Sequence, residues 1–80
     1  MTAVKESTIN VEHTYTMVSY KMDINGKSYV IREGINAHNG DQEVRTIEQT
    51  TQKGEPMMKV QQYTEEWDRL EQLFQQNRID

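Results

Sequence analysis

Thr14-Tyr15-Thr16-Met17-Val18-Ser19-Tyr20-Lys21-Met22-Asp23-Ile24-Asn25-Gly26-Lys27-Ser28-Tyr29-Val30-Ile31-Arg32 places alternating apolar and polar residues on either side of an Asn-Gly pair. Asn and Gly accept the two positive φ angles of a type I′ turn, so the stretch predicts a β-hairpin and an antiparallel sheet. Facing positions in a two-residue hairpin sum to a constant. Ile24 is therefore expected opposite Lys27, Met22 opposite Tyr29, Tyr20 opposite Ile31 and Val18 opposite Glu33. One face then carries Val18, Tyr20, Met22, Ile24, Tyr29 and Ile31. The other carries Ser19, Lys21, Asp23, Ser28, Val30 and Arg32, so one side reads as packed and the other as mostly solvated.

Upstream, Ile9, Val11, His13, Tyr15 and Met17 also alternate, but in the opposite phase. A one-residue shift flips every side chain to the other face, so a bulge or break near Met17-Val18 is needed if both halves feed one core. Without it, Tyr15 and Met17 stand on the open face. Downstream, Asn39-Gly40 is a second turn signal that would fold Ile35 back against Val44. The segment from Asp41 to about Thr51 spaces its apolar residues Val44 and Ile47 by three, which suits a helical turn as well as a strand. Its β-branched Val44, Thr46, Ile47, Thr50 and Thr51 favour strand. Gln52 to Pro56 reads as a turn and Met57 to Gln62 as a further strand, with Pro56 at its entrance, where no ladder bond is lost.

Thr64 suits an N-cap, Glu65 and Glu66 suit the positive end of a helix dipole, and Trp67, Leu70, Leu73 and Phe74 recur as one apolar stripe. The helix should run to about Asn77, with Arg78 near its negative end. The expected architecture is a single α+β domain over residues 1–80, an antiparallel β-meander of about four strands with one C-terminal amphipathic helix packed on one face. Residues 1–7 are expected to be a loose end.

Only 34% of the 80 residues are hydrophobic and the mean hydropathy is −0.96. The only leucines are Leu70 and Leu73, and there is one Phe and one Trp beside five Met and four Tyr. A single core of this size typically supplies about 3–5 kcal/mol unless a metal, a disulfide or a partner helps. The chain has no cysteine, which removes disulfides and thiolate metal sites and leaves association as the natural supplement. No signal-peptide or membrane-span pattern occurs, so the expected location is cytoplasmic, with no membrane contact.

Chemical motifs are sparse. His13 and His38 are the only imidazoles, and no zinc or calcium ligand spacing surrounds them. Ser7, Ser19 and Ser28 lie outside any nucleophile elbow, and no phosphate-binding glycine loop is present. Glu12, Glu33, Glu43 and Glu48 are the carboxylates available for pairing, in a chain too short for much of a desolvated pocket. The expectation is no catalytic residue, no metal and no cofactor: a non-enzyme.

The surfaces carry what functional signal there is. Trp, Tyr and Met are favoured at interface centres, so a protein partner is expected, with a homodimer as one form of association. The residues singled out for partner binding are Tyr15, Met17, Lys21, Arg32 and Lys59. The function they suggest is that of a small protein-binding regulator, an adaptor or inhibitor acting by surface complementarity. The alternative is a single-stranded nucleic-acid-binding protein, with Lys21, Arg32 and Lys59 meeting phosphates and Tyr15 stacking on a base. In its order of elements, and in Tyr63-Thr64-Glu65-Glu66-Trp67-Asp68-Arg69-Leu70 as a strand-to-helix junction, the chain resembles the single-stranded-DNA-binding transcription coactivators and the whirly proteins. That resemblance implies binding through the sheet. Charge disfavours it: the net charge is −4, and five acids stand against Arg69 and Arg78 from Thr64 onward.

Overall fold

This computed structural model describes residues 2–12 and 14–79. Six strands and one helix follow in the order β1 (Ala3–Glu12), β2 (Tyr15–Ile24), β3 (Lys27–Asn36), β4 (Gln42–Thr50), β5 (Pro56–Lys59), α1 (Glu65–Asn77) and β6 (Arg78–Ile79). They form one sheet in the order β5-β4-β3-β2-β1-β6, antiparallel except for the parallel pair β1–β6. The α+β class and the C-terminal helix are as expected; the strand count exceeds the expected four.

The central hairpin has the anticipated register. Asn25 and Gly26 take φ of 49° and 81°, and Ile24↔Lys27, Met22↔Tyr29, Tyr20↔Ile31 and Val18↔Glu33 all pair. Of the two alternatives at Met17-Val18, the bulge does not occur, because β2 pairs with β3 without interruption from Tyr15↔Asn36 to Ile24↔Lys27. Tyr15 and Met17 therefore stand on the open face, and Ile9 and Val11 lie on a separate strand. Glu12 pairs with Tyr15, so the chain reverses between them and Ala3–Glu12 forms β1 along the hairpin. The expected loose end is thus strand from Ala3 onward. His13 lies outside the described residues.

The segment whose β-branched residues favoured strand over a helical turn is strand, and its three-residue spacing has a specific cause. Arg32 pairs with Thr46 but Glu33 with Val44, leaving Arg45 as the extra residue of a bulge. In a regular strand, positions three apart point to opposite faces; the inserted residue restores them to one face. Val44 and Ile47 are accordingly both buried, at 5% and 1% exposure. The bulge also moves the register: Ile35 meets Gln42 rather than Val44. The loop before β4 is wider than a two-residue turn, closed by Gly40 N donating to Asn36 O at 2.8 Å and Asn36 N to Asp41 O at 2.9 Å.

Helix α1 begins as its sequence predicts. Thr64 Oγ1 accepts from Trp67 N at 3.2 Å, and Glu65, Glu66 and Asp68 occupy the first turn. Trp67, Leu70 and Phe74 are buried, and Leu73 packs half-buried against the same core. Phe74 meets Tyr20 edge to face with ring centroids 4.9 Å apart, a favoured aromatic geometry.

Arg78 stands at the C-cap, beside the negative end of the helix as expected. It leaves the helical path at φ −68° and ψ 142°, opens β6 against Ala3, and turns its guanidinium into the core. Nη1 donates to Glu33 Oε2 at 2.7 Å and Nη2 to Glu33 Oε1 at 2.9 Å, a bidentate pair. Nη2 also donates to Tyr20 Oη at 3.1 Å, Nη1 to Gln75 Oε1 at 3.2 Å, and the guanidinium carbon lies 5.4 and 5.2 Å from the Tyr20 and Phe74 ring centroids. Glu33, only 1% exposed, is therefore a matched buried charge.

Candidate functional site

The helix and the core occupy one face of the sheet. On the other, the pleat sets Tyr15, Met17, Ser19, Lys21 and Asp23 of β2 beside Ser28, Val30, Arg32, Gly34 and Asn36 of β3. Pairing extends these residues into rows across the sheet. One row runs Lys59, Glu48, Val30, Lys21, Val4 from β5 to β1; the next runs Thr46, Arg32, Ser19, Ser7; the third runs Glu43, Gly34, Met17, Ile9. Tyr15 lies beyond the third row, between Asn36 and Glu12.

All five residues singled out for partner binding share this face. Tyr15, Met17, Lys21 and Arg32 are half-buried on the two central strands, whereas Lys59 is exposed on the short edge strand β5. Glu48 and Val30 stand between Lys59 and Lys21, so these cations are three strand spacings apart, about 14 Å. They do not form one cluster.

Tyr15 is the most firmly placed of the five. A Cβ on Gly34 would stand 2.6 Å from Tyr15 Cζ and nearer still to its hydroxyl, so the ring occupies the space that a side chain at position 34 would fill. The ring keeps this position only because residue 34 is glycine. Above the ring, the Arg45 guanidinium carbon lies 5.2 Å from the centroid, within cation–π range. Arg45 Nε also meets Glu43 Oε2 at 3.8 Å, an exposed pair of small energetic weight. Met17 sits beside Gly34 in the register and Ile9, 58% exposed, sits beside Met17. The result is an aromatic and apolar corner with a cation over it.

The face is not a cationic surface. Lys21, Arg32, Arg45 and Lys59 share it with Glu12, Asp23, Glu43 and Glu48, and Lys59 pairs directly with Glu48. Asp23 is engaged, accepting from Ser28 Oγ at 2.6 Å. Of the carboxylates considered for pairing, Glu33 is held in the core by Arg78, far from Glu43 and Glu48 in chemical setting. Among the described residues no group of three or more His, Cys, Asp and Glu is placed to hold a metal, and no helix is long and apolar enough to cross a membrane. An open groove of about 450 Å³ follows the helix, lined by Asp68, Glu71, Gln72, Gln75 and Gln76. It is lined by charged and amide side chains and lies open to solvent, unlike the enclosed clefts that bury most of a small ligand.

Sequence reasoning missed Arg45, Gly34 and Ile9 as members of the corner. A lone glycine inside a strand is a recognised sign of close backbone approach, so Gly34 carried a readable signal. Arg45 did not, because its placement depends on the bulge. Comparison with known protein families, with curated proteins and with solved structures finds no match to this chain.

Proposed function

We propose that this chain is a small non-catalytic protein-binding regulator, an adaptor or inhibitor, that docks on its partner through the open face of the sheet around Tyr15 and Met17. The observation that carries this reading is the Tyr15 ring seated over Gly34 beneath Arg45. Tyr and Arg dominate binding hot spots, and Met is enriched beside them at interface centres. A ring already held in place loses little rotamer freedom on binding, which lowers the cost of association. The neighbouring charges of both signs suit a protein rim, where they select the partner and its orientation.

The nucleic-acid reading draws on the same cations but is weighed down by the acids interleaved with them. A strand-tracking site needs phosphates to meet Lys and Arg in succession, and here Glu48 intervenes between Lys59 and Lys21.

The test is capture from the source cell with the wild type and two variants, Met17→Glu and Gly34→Ala, each with and without nuclease. Gly34→Ala evicts the Tyr15 ring without touching the core. One protein recovered by the wild type regardless of nuclease, and lost with both variants, supports docking at this corner. Recovery that vanishes with nuclease transfers the function to nucleic acid. So would submicromolar binding of a labelled single-stranded oligonucleotide at physiological salt that Lys21→Glu/Arg32→Glu abolishes.

A further inference from the structure

The two long edges of the sheet are treated differently. Strand β5 has four residues, opens with Pro56 and ends with Lys59, three devices that discourage further pairing. Strand β1 has ten residues, of which only Ala3 is buried. Its inner edge pairs with β2, and β6 covers its outer edge only at Ala3 and Val4. From Lys5 to Glu12 that outer edge has no neighbour among the described residues. The run Ser7-Thr8-Ile9-Asn10-Val11 holds no charge and no proline, and Ile9 and Val11 are each 58% exposed. Such an edge is a template for another strand.

We propose that the outer edge of β1 pairs antiparallel with β1 of a second copy of this chain, about a twofold axis at Thr8, joining the two sheets into one. The inference is independent of the docking role of the open face. Twofold symmetry requires one residue to face itself, which leaves few registers, and charge with chain geometry selects among them. With Thr8 at the axis, Ser7 faces Ile9, Glu6 faces Asn10 and Lys5 faces Val11, so no like charges oppose. With Ile9 at the axis, Glu6 faces Glu12 twice, a destabilising arrangement. With Ser7 at the axis, the cover of β6 over Val4 limits pairing to Lys5–Ile9, five residues a side against the seven from Lys5 to Val11. The bulges of β1 fall outside the run from Ser7 to Asn10, so the central pairs involve regular strand. Seven residues a side is far fewer than the roughly 20–30 of a standard interface, so the dimer is reversible and concentration-dependent.

Because the chain has no cysteine, Thr8→Cys is a clean reporter. Directly facing Cα atoms in an antiparallel pair lie about 4.5 or 5.5 Å apart, within the range a disulfide spans. Sedimentation velocity of the wild type from micromolar to millimolar concentration is expected to show a monomer–dimer equilibrium. Thr8→Cys should cross-link under mild oxidation at least tenfold faster than a Glu66→Cys control on the exposed side of α1. Thr8→Lys and Thr8→Glu should each remain monomeric where the wild type dimerises, and an equimolar mixture of the two should restore the dimer. Circular dichroism checks that each variant is folded; if a charged variant is not, the conservative cysteine decides. A wild type that stays monomeric, a dimer untouched by both charged variants, or cross-linking no faster than the control overturns the proposal. Growth beyond the dimer also overturns it, since it would indicate head-to-tail pairing of β1 with β5.

Discussion

Replacing Arg78 by Met removes the guanidinium that satisfies Glu33 and leaves a carboxylate, 1% exposed, without its bidentate donor. Removing one member of a buried ion pair typically costs about 3–5 kcal/mol, because the remaining charge keeps its desolvation penalty. The single core of a chain this small supplies about the same amount, so Arg78→Met should be largely unfolded at 25 °C. At roughly 4–8 °C of melting temperature per kcal/mol for a domain of this size, the midpoint should fall by at least about 12 °C. The double variant Glu33→Leu/Arg78→Met separates a lost charge match from lost packing. With both charges gone, the same site becomes an apolar core position, and such replacements are commonly neutral or stabilising. Thermal and urea melts followed by circular dichroism should therefore rank the wild type and the double variant together, with Arg78→Met far below. The reasoning is refuted if Arg78→Met melts within about 2 °C of wild type, or if the double variant is no more stable than the single one.

Truncating the helix stripe gives a second expectation. Phe74→Ala should cost about 3–5 kcal/mol, since the ring is fully buried, meets Tyr20 edge to face and lies under the Arg78 guanidinium; a thermal melt close to wild type would contradict the packed helix. Gly26→Val should destabilise more than Gly40→Val in parallel urea melts. Both glycines have positive φ, but Gly26 closes the tight central hairpin, whereas Gly40 lies in a wider exposed loop, and equal losses would remove that distinction.

The elements legible in the sequence are those whose cause is local. Asn25-Gly26 determines a turn within two residues, and the period-two pattern on either side then determines every pairing from Ile24↔Lys27 to Val18↔Glu33. Thr64, the acids after it and the stripe Trp67, Leu70, Phe74 likewise specify a helix through contacts three and four residues apart. The features that only the tertiary structure decided join distant positions. The opposite phase of Tyr15 and Met17 fitted either a bulge or a place on the open face, and the uninterrupted pairing along β2 decided for the open face. The spacing of Val44 and Ile47 fitted helix or strand until the bulge at Arg45 brought both to one face.

The candidate site divides in the same way. That Tyr15, Met17, Lys21 and Arg32 share the open face follows from alternation alone, once the hairpin is read without interruption. That Tyr15 lies over Gly34 under Arg45 does not, because it brings three strands into contact. Arg78 marks the limit most clearly. Its sequence position suits a helix terminus, where a cation gains a fraction of a kcal/mol from the dipole. A buried carboxylate 45 residues away, offering two hydrogen bonds in a water-excluded core, outweighs that local preference, and no pattern along the chain records the distance between them.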